Sequence, residues 1–279
     1  MTNTNRNHRN FIDRDGTYCD GLVSFHNNYL PKDLGHDILS KLSAIPFKEL
    51  TTGGRTLERP GIFMVKRNEH GHVPFARCPS AENQIMEDVD DNVLSIVNYI
   101  NSKEGTNFNH FKIQVYENNR VPIAHHSDKR ADLASGSSIG IIRFTDHGEF
   151  RDTSLIRKKD GHKTHFKMAN NSLLILSEQA NIEYTHGVSK MNMPTGVSIS
   201  IVLREVGTYV REDGHWYGIG CRYKTNEELE KALASRNIPK KTMTSDEMNR
   251  AFIRAFVIEN KSWKDVRDNV YKDIILNSF

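Results

Sequence analysis

Between Phe111 and Glu205 the chain falls into eight short apolar-rich runs separated by polar, turn-forming stretches. The runs are Phe111–Tyr116, Ile123–His126, Ser138–Phe144, Thr153–Arg157, Thr164–Met168, Ser172–Leu176, Ile182–His186 and Val197–Glu205. Phe111-Lys-Ile-Gln-Val-Tyr116 alternates large apolar residues with polar ones, the pattern of a half-buried strand. Glu117-Asn-Asn-Arg120, Ser135-Gly136, Asp146-His-Gly148, Lys159-Asp-Gly161 and Ala169-Asn-Asn171 supply turn chemistry between runs. Many short strands at this spacing build a sandwich or jelly roll, whereas a doubly wound sheet needs a helix between successive strands. The expected fold is mainly β, with a double-stranded β-helix (jelly-roll) core over about residues 109–205 and flanking N-terminal helices.

The rest of the chain sets the boundaries. Residues 1–20 open on an Asn-rich polar stretch with no apolar segment, so they read as a disordered arm and not a secretory signal. Residues 21–224 form the expected domain. Within it, Pro31-Lys-Asp33 starts a probable helix on which Leu34, Ile38, Leu39 and Leu42 recur at helical spacing. Asp88 to Asn101 is a second, amphipathic helix, with Gly105 just beyond its end. Asp213-Gly214 suits the turn of a late hairpin. Residues 225–279 carry three helical patterns and read as a C-terminal extension. Apolar content of 37% and charged content of 26% fit a soluble globular protein. No run of eighteen apolar residues is present, so no membrane span is expected. Three distant cysteines make neither a disulfide framework nor a zinc site, which points to a reducing intracellular compartment, cytoplasm or nucleus. The net charge of +3 permits nucleic-acid binding without arguing for it.

Chemistry concentrates in the strand region. Side chains two apart on a strand share a face, so His126 and Asp128 point the same way while His125 and Ser127 point away. His186, about sixty residues on, is placed to add a second imidazole from a distant strand. Two imidazoles and one carboxylate on one face of a metal leave three positions open, the arrangement of non-haem Fe(II) oxygenases, although Mn or Zn suits the same donors. Arg204 lies on the last strand, where a guanidinium fork can hold a carboxylate. The pairs His147/Glu149, His70/His72 and His162/His165 have similar spacing and are read as decoys.

The order of these pieces resembles the AlkB-like Fe(II)- and 2-oxoglutarate-dependent dioxygenases. The resemblance runs from Arg59-Pro-Gly61 through the strand ending at Tyr116, His126-x-Asp128, Ala134-Ser-Gly-Ser-Ser-Ile139 and the basic Arg157-Lys-Lys159 hairpin. It continues through Asn171-Ser-Leu-Leu-Ile-Leu176 and Tyr184-x-His186 to Arg204. It implies that His126, Asp128 and His186 ligate iron and that Arg204 sits near the metal-chelating carboxylate of 2-oxoglutarate. It also implies that Tyr116 bonds the cosubstrate, with Gln114 standing where the family has Asn. The family has a further Arg six positions before the last one, paired with the distal carboxylate; here that position is Ser198. Lys190, Lys167 and Arg143 are candidate replacement cations, with Tyr116 and Ser200 contributing neutral bonds.

The reaction implied by the resemblance consumes 2-oxoglutarate and O2, releases succinate and CO2, and hydroxylates a C–H bond. When that bond belongs to an N-methyl group, the product loses formaldehyde. The implied substrate is an alkylated base in DNA or RNA, extruded into the pocket. Arg55, Arg59, Lys66, Arg67 and Arg77, together with Arg157, Lys158, Lys159 and Lys163, are basic residues compatible with that partner, with Phe63 and Phe75 as nearby aromatics. Two alternatives stand beside it. One is a hydroxylase of a protein or small molecule; the other is a catalytically silent binding member, motivated by Ser198.

Overall fold

Strand runs dominate the computed structural model, which describes residues 10–52, 55–76, 86–117, 120–130, 132–146, 148–191, 196–213 and 216–218. The fold is mainly β, with mixed sheets consistent with a jelly-roll core. The C-terminal helices expected over 225–279 lie outside the described residues. Two compact units are distinguishable: Met1–Ile45 with Val115–Ser127 and Gly140–Ile201, and Pro46–Gln114 with Asp128–Ile139 and Val202–Phe279.

In the first unit a five-stranded sheet runs in the order Phe11–Ile12, Lys163–Ala169, Phe150–Arg157, Tyr184–Val188, Ile123–His126. All its pairings are antiparallel except the first. Its register decides the site: His186 pairs with His126 on one side and with Leu155 on the other. Arg151, Thr153 and Leu155 therefore share a face with His186, by the two-residue period of a strand. The same unit carries Gly16–Tyr18, Val23–His26 and Ser172–Leu176, followed in a second sheet by Ile139–Thr145 and Ser198–Arg204, of which residues 140–145 and 198–201 lie in this unit. Phe166 of the first sheet meets Tyr18 and Phe25 of the second at ring distances of 5.7 and 5.6 Å. Phe25 and Phe166 are fully buried, each worth about 1.5–3 kcal/mol in apolar area removed from water.

Three local differences from the sequence expectation have physical causes. Residues 10–20, inside the expected arm, hold two short strands, because Phe11 and Ile12 add an apolar edge beside His165 and Phe166. The helix expected from Pro31 is two short helices, Lys32–Gly35 and Ile38–Ser43. Asp37 between them adopts a left-handed backbone with φ 55°, which no continuing helix allows. The strand expected over Ile182–His186 begins at Tyr184, because Glu178–Glu183 forms a helix capped by Ser177, whose Oγ accepts from Ala180 N.

The second unit holds residues 202–204 of Ser198–Arg204 and 110–114 of His110–Tyr116, with Gly61–Val65 and Met86–Asp88, neighbours in that strand order. Gly61–Val65 is buried along its whole length and Phe63 packs with Leu50, Leu57 and Met86. The expected second helix spans Asp91–Glu104. Asp90 caps it, accepting from Asn92 N and Val93 N, and Gly105 ends it with φ 65°. Its buried face is Val93, Ile96, Val97 and Ile100. The late hairpin pairs Thr208–Val210 with Trp216–Gly218. Among the described residues no helix is long and apolar enough to cross a membrane.

Candidate metal centre

His126 closes the strand Ile123–His126, and His186 stands opposite it on Tyr184–Val188. Their rings lie 4.5 Å apart. Nδ1 of His126 is 2.9 Å from the carbonyl oxygen of Ala124. A carbonyl only accepts, so Nδ1 carries the proton in that bond and Nε2 presents its lone pair. That is the tautomer a metal ligand needs, fixed by an outer partner. Asp128 follows two residues later, its side chain 7% exposed. One donor atom from each of His126, Asp128 and His186 lies within 4.8 Å of the others, the only such grouping among the described residues. The flanking residues point elsewhere: His125 Nε2 is 3.1 Å from Ser154 Oγ, and Ser127 Oγ donates to Tyr184 O.

Arg204 supports this trio. Its Nε and Nη2 both donate to Oδ2 of Asp128, at 2.8 and 2.7 Å. The guanidinium thus orients the carboxylate and balances its charge. His110 lies in the same electrostatic neighbourhood. It is fully buried, and burial first, then the charges of Arg204 and Lys112, push its pKa down to about 3. It is neutral at physiological pH.

The remaining expected residues line the interior. Gln114, Tyr116, Ser198 and Ser200 are each 1–3% exposed. Tyr116 Oη and Gln114 Nε2 have no hydrogen-bond partner among the described residues. Of the three candidate cations, Lys190 is exposed and Lys167 Nζ sits 5.2 Å over the Phe150 ring. Arg143 is buried and its Nη1 faces Ser198 Oγ at 3.4 Å. Arg151 is an interior residue that the sequence reading missed; the inward period of Arg151, Thr153 and Leu155 is the signal that identifies it.

The expected basic surface is only partly available. Arg67 pairs with Asp88 and Arg157 with Asp20 and Asp160, while Lys158 donates to Ile182 O. Phe63 is core, not a surface aromatic. Lys159 and Lys163 are exposed. Arg77 lies outside the described residues. Phe75 and Arg67 line a cleft of about 300 Å³ with Val73, Met86, Val210 and Arg211. Members of the decoy pairs have other partners: His165 bonds Asp152 at 2.8 Å, and His72 Nδ1 lies 2.6 Å from Tyr217 Oη.

No family model matches the chain, and no curated protein matches it in sequence. Solved structures do match it in fold. One is described as the structure of OsALKBH1. It aligns over 68% of this chain and 100% of its own at a TM-score of 0.50, with 14% identity. At that identity the likeness speaks to fold alone. This chain has an AlkB-like fold, and the His-Asp-His grouping sits within it.

Proposed function

We propose that the chain is an Fe(II)- and 2-oxoglutarate-dependent dioxygenase that oxidatively demethylates N-alkylated bases in DNA or RNA. The observation that carries the reading is the convergence of His126, Asp128 and His186 donor atoms. Neutral imidazole and carboxylate are the donor set that suits a divalent non-haem iron with open positions. The fit is supported by His126, whose Nδ1 bond leaves Nε2 as the ligand atom, and by Arg204, which holds one oxygen of Asp128. Iron, with 2-oxoglutarate and O2, supplies the oxidising chemistry that no side chain provides. The protein's share is to orient the ligands and keep water away from the reacting atoms. Burial of His186, Gln114, Tyr116, Ser198 and Ser200 serves the second task.

The test is direct. Anaerobically loaded protein should bind about one Fe(II) per chain and, once O2 is admitted, convert 2-oxoglutarate to succinate and CO2. Asp128→Ala and His186→Ala should lose both properties. Succinate release that survives either substitution would refute the assigned ligands. A panel of N-methylated DNA and RNA oligonucleotides then tests the substrate, read as formaldehyde and demethylated base. The cleft at Phe75 and Arg67 and the exposed Lys159 and Lys163 favour nucleic acid. The ion pairs that occupy Arg67 and Arg157 favour a second reading, a hydroxylase of a protein or small molecule, which predicts succinate release without affinity for any oligonucleotide.

A further inference from the structure

Inside the second unit, the strand that begins at His110 turns a polar face inward. Phe111 and Ile113 are fully buried apolar side chains on its other face. His110, Lys112 and Gln114 alternate with them and are buried as well, at 1%, 9% and 3% exposure. Lys112 stands opposite Phe63 on Gly61–Val65, and His110 stands opposite Val65. Lys112 Nζ lies 5.5 Å from the Phe63 ring centre, and the His110 ring lies 6.0 Å from it. Neither nitrogen of His110 meets a partner on another described residue. A buried polar group left unpaired is costly. The charges around it are unequal. Arg204 and Lys112 both act against protonation of His110, and Asp128 acts for it more weakly than either. The Asp128 carboxylate is already engaged by Nε and Nη2 of Arg204. A positive charge brought beside His110 therefore meets two fixed ones where little water screens them. A neutral group meets no such barrier.

We propose that His110 and Lys112 select the base: an uncharged N-methylated pyrimidine whose methyl nitrogen lies between two carbonyls, as in N3-methyluracil, and against cationic N3-methylcytosine or N1-methyladenine. This choice of substrate rests on the demethylase reading. A neutral imidazole offers one donor and one acceptor, and an ammonium offers donors only. Ring carbonyls therefore suit both residues, and the bond from the ammonium is charge-assisted. N3-methylcytosine replaces one of the two carbonyls with an amine, which is itself a donor, and carries a positive charge. It gives Lys112 one acceptor fewer and is repelled by Lys112 and Arg204 together.

Two single-stranded oligonucleotides, identical but for one base, make the test. One carries N3-methyluracil and the other N3-methylcytosine, so they differ only in oxygen against amine at ring position 4 and in charge. Affinity is read by fluorescence anisotropy at neutral pH, with Mn(II)-loaded and with metal-free protein. The methyluracil strand should bind about 10- to 100-fold tighter in both. Lys112→Met, which keeps the side-chain length and removes the charge, should cut that ratio about 3- to 10-fold. His110→Phe should weaken the methyluracil strand about 2- to 10-fold and leave the methylcytosine strand unchanged, and it serves if the lysine variant does not fold. Equal affinity for the two strands, tighter binding of methylcytosine, or a ratio unchanged in either folded variant overturns the proposal. Failure of both strands to bind better than their unmethylated counterparts overturns it too. Succinate release with a protein or small molecule would then leave the oxygenase chemistry standing. A methyluracil preference that depends on Lys112, in a protein that takes up no divalent metal, leaves the selecting pair standing and removes the oxygenase reading instead.

Discussion

Gly187 is the position where a single methyl group should disable the metal centre without touching a ligand. It follows His186 on the strand Tyr184–Val188, which is flanked by Phe150–Arg157 and Ile123–His126. A Cβ there would lie 2.8 Å from the Ile123 carbonyl oxygen and 3.0 Å from His125 Cδ2. The first obstacle is backbone and cannot swing aside, so Gly187→Ala must push the Ile123–His126 strand away. Overpacking of this kind costs about 1–3 kcal/mol. The variant recovers about 0.4–1 kcal/mol because alanine restricts the unfolded chain. The net is a loss of about 1–2 kcal/mol, or roughly 3–6 °C in melting temperature for a domain of this size. The moved strand carries His126, whose ring is 4.5 Å from that of His186. A shift of a few tenths of an ångström spoils the convergence, and affinity for Mn(II), an oxygen-insensitive stand-in for Fe(II), should fall about tenfold, near 1.4 kcal/mol. Urea unfolding of the metal-free variant and an Mn(II) isotherm measure the two effects. Gly35→Ala is the control: its Cβ would meet Asn171 Nδ2 at 3.7 Å and the Leu30 carbonyl oxygen at 3.9 Å, both ordinary contacts, so it should be neutral or slightly stabilising. Wild-type stability and wild-type Mn(II) affinity in Gly187→Ala would refute the reasoning.

Arg204→Met should cost about 2–3 kcal/mol in urea unfolding, less than the roughly 3–5 kcal/mol for breaking a fully buried pair because Arg204 is 14% exposed. Arg204→Lys should recover only part of it, since Nε and Nη2 both donate to Asp128 Oδ2. His110 sets a pH dependence: its folded pKa, about 3, lies below its unfolded value of 6.5. The unfolded chain binds the proton first, so stability is full above pH 6.5 and falls as pH drops toward 3, by at most about 1.4 kcal/mol per unit. Urea titrations between pH 7 and 5 should show that slope in the wild type and a shallower one in His110→Phe. Removing divalent metal with a chelator should lower the melting temperature, and Mn(II) at about 100 times its Kd should restore roughly 2.7 kcal/mol. His186→Ala should show no such response.

Much of this architecture is legible in the chain before folding. The alternation in Phe111–Tyr116 marks a strand, which the structure extends by one residue to His110. The apolar stripe from Asp88 to Asn101 and Gly105 mark a helix that forms within a few residues of its expected ends. What local pattern cannot carry is the partner of each charge. Arg67 and Arg157 look like a nucleic-acid surface until Asp88, Asp20 and Asp160 are found on them. Phe63 looks like a stacking platform until its strand is buried along its length. Asp37 broke an expected helix through a backbone conformation that side-chain periodicity does not record.

Side-chain chemistry and a two-residue period, both properties of short segments, were enough to nominate His126, Asp128 and His186 and a mainly β fold. Register and strand order then brought Arg143 to Ser198, put Arg151 across from it on Tyr116, and turned Arg204 onto Asp128. Those meetings join residues separated by up to 76 positions. Their cause is cooperative: each strand's place is set by all the strands packed beside it, and no segment holds that information alone.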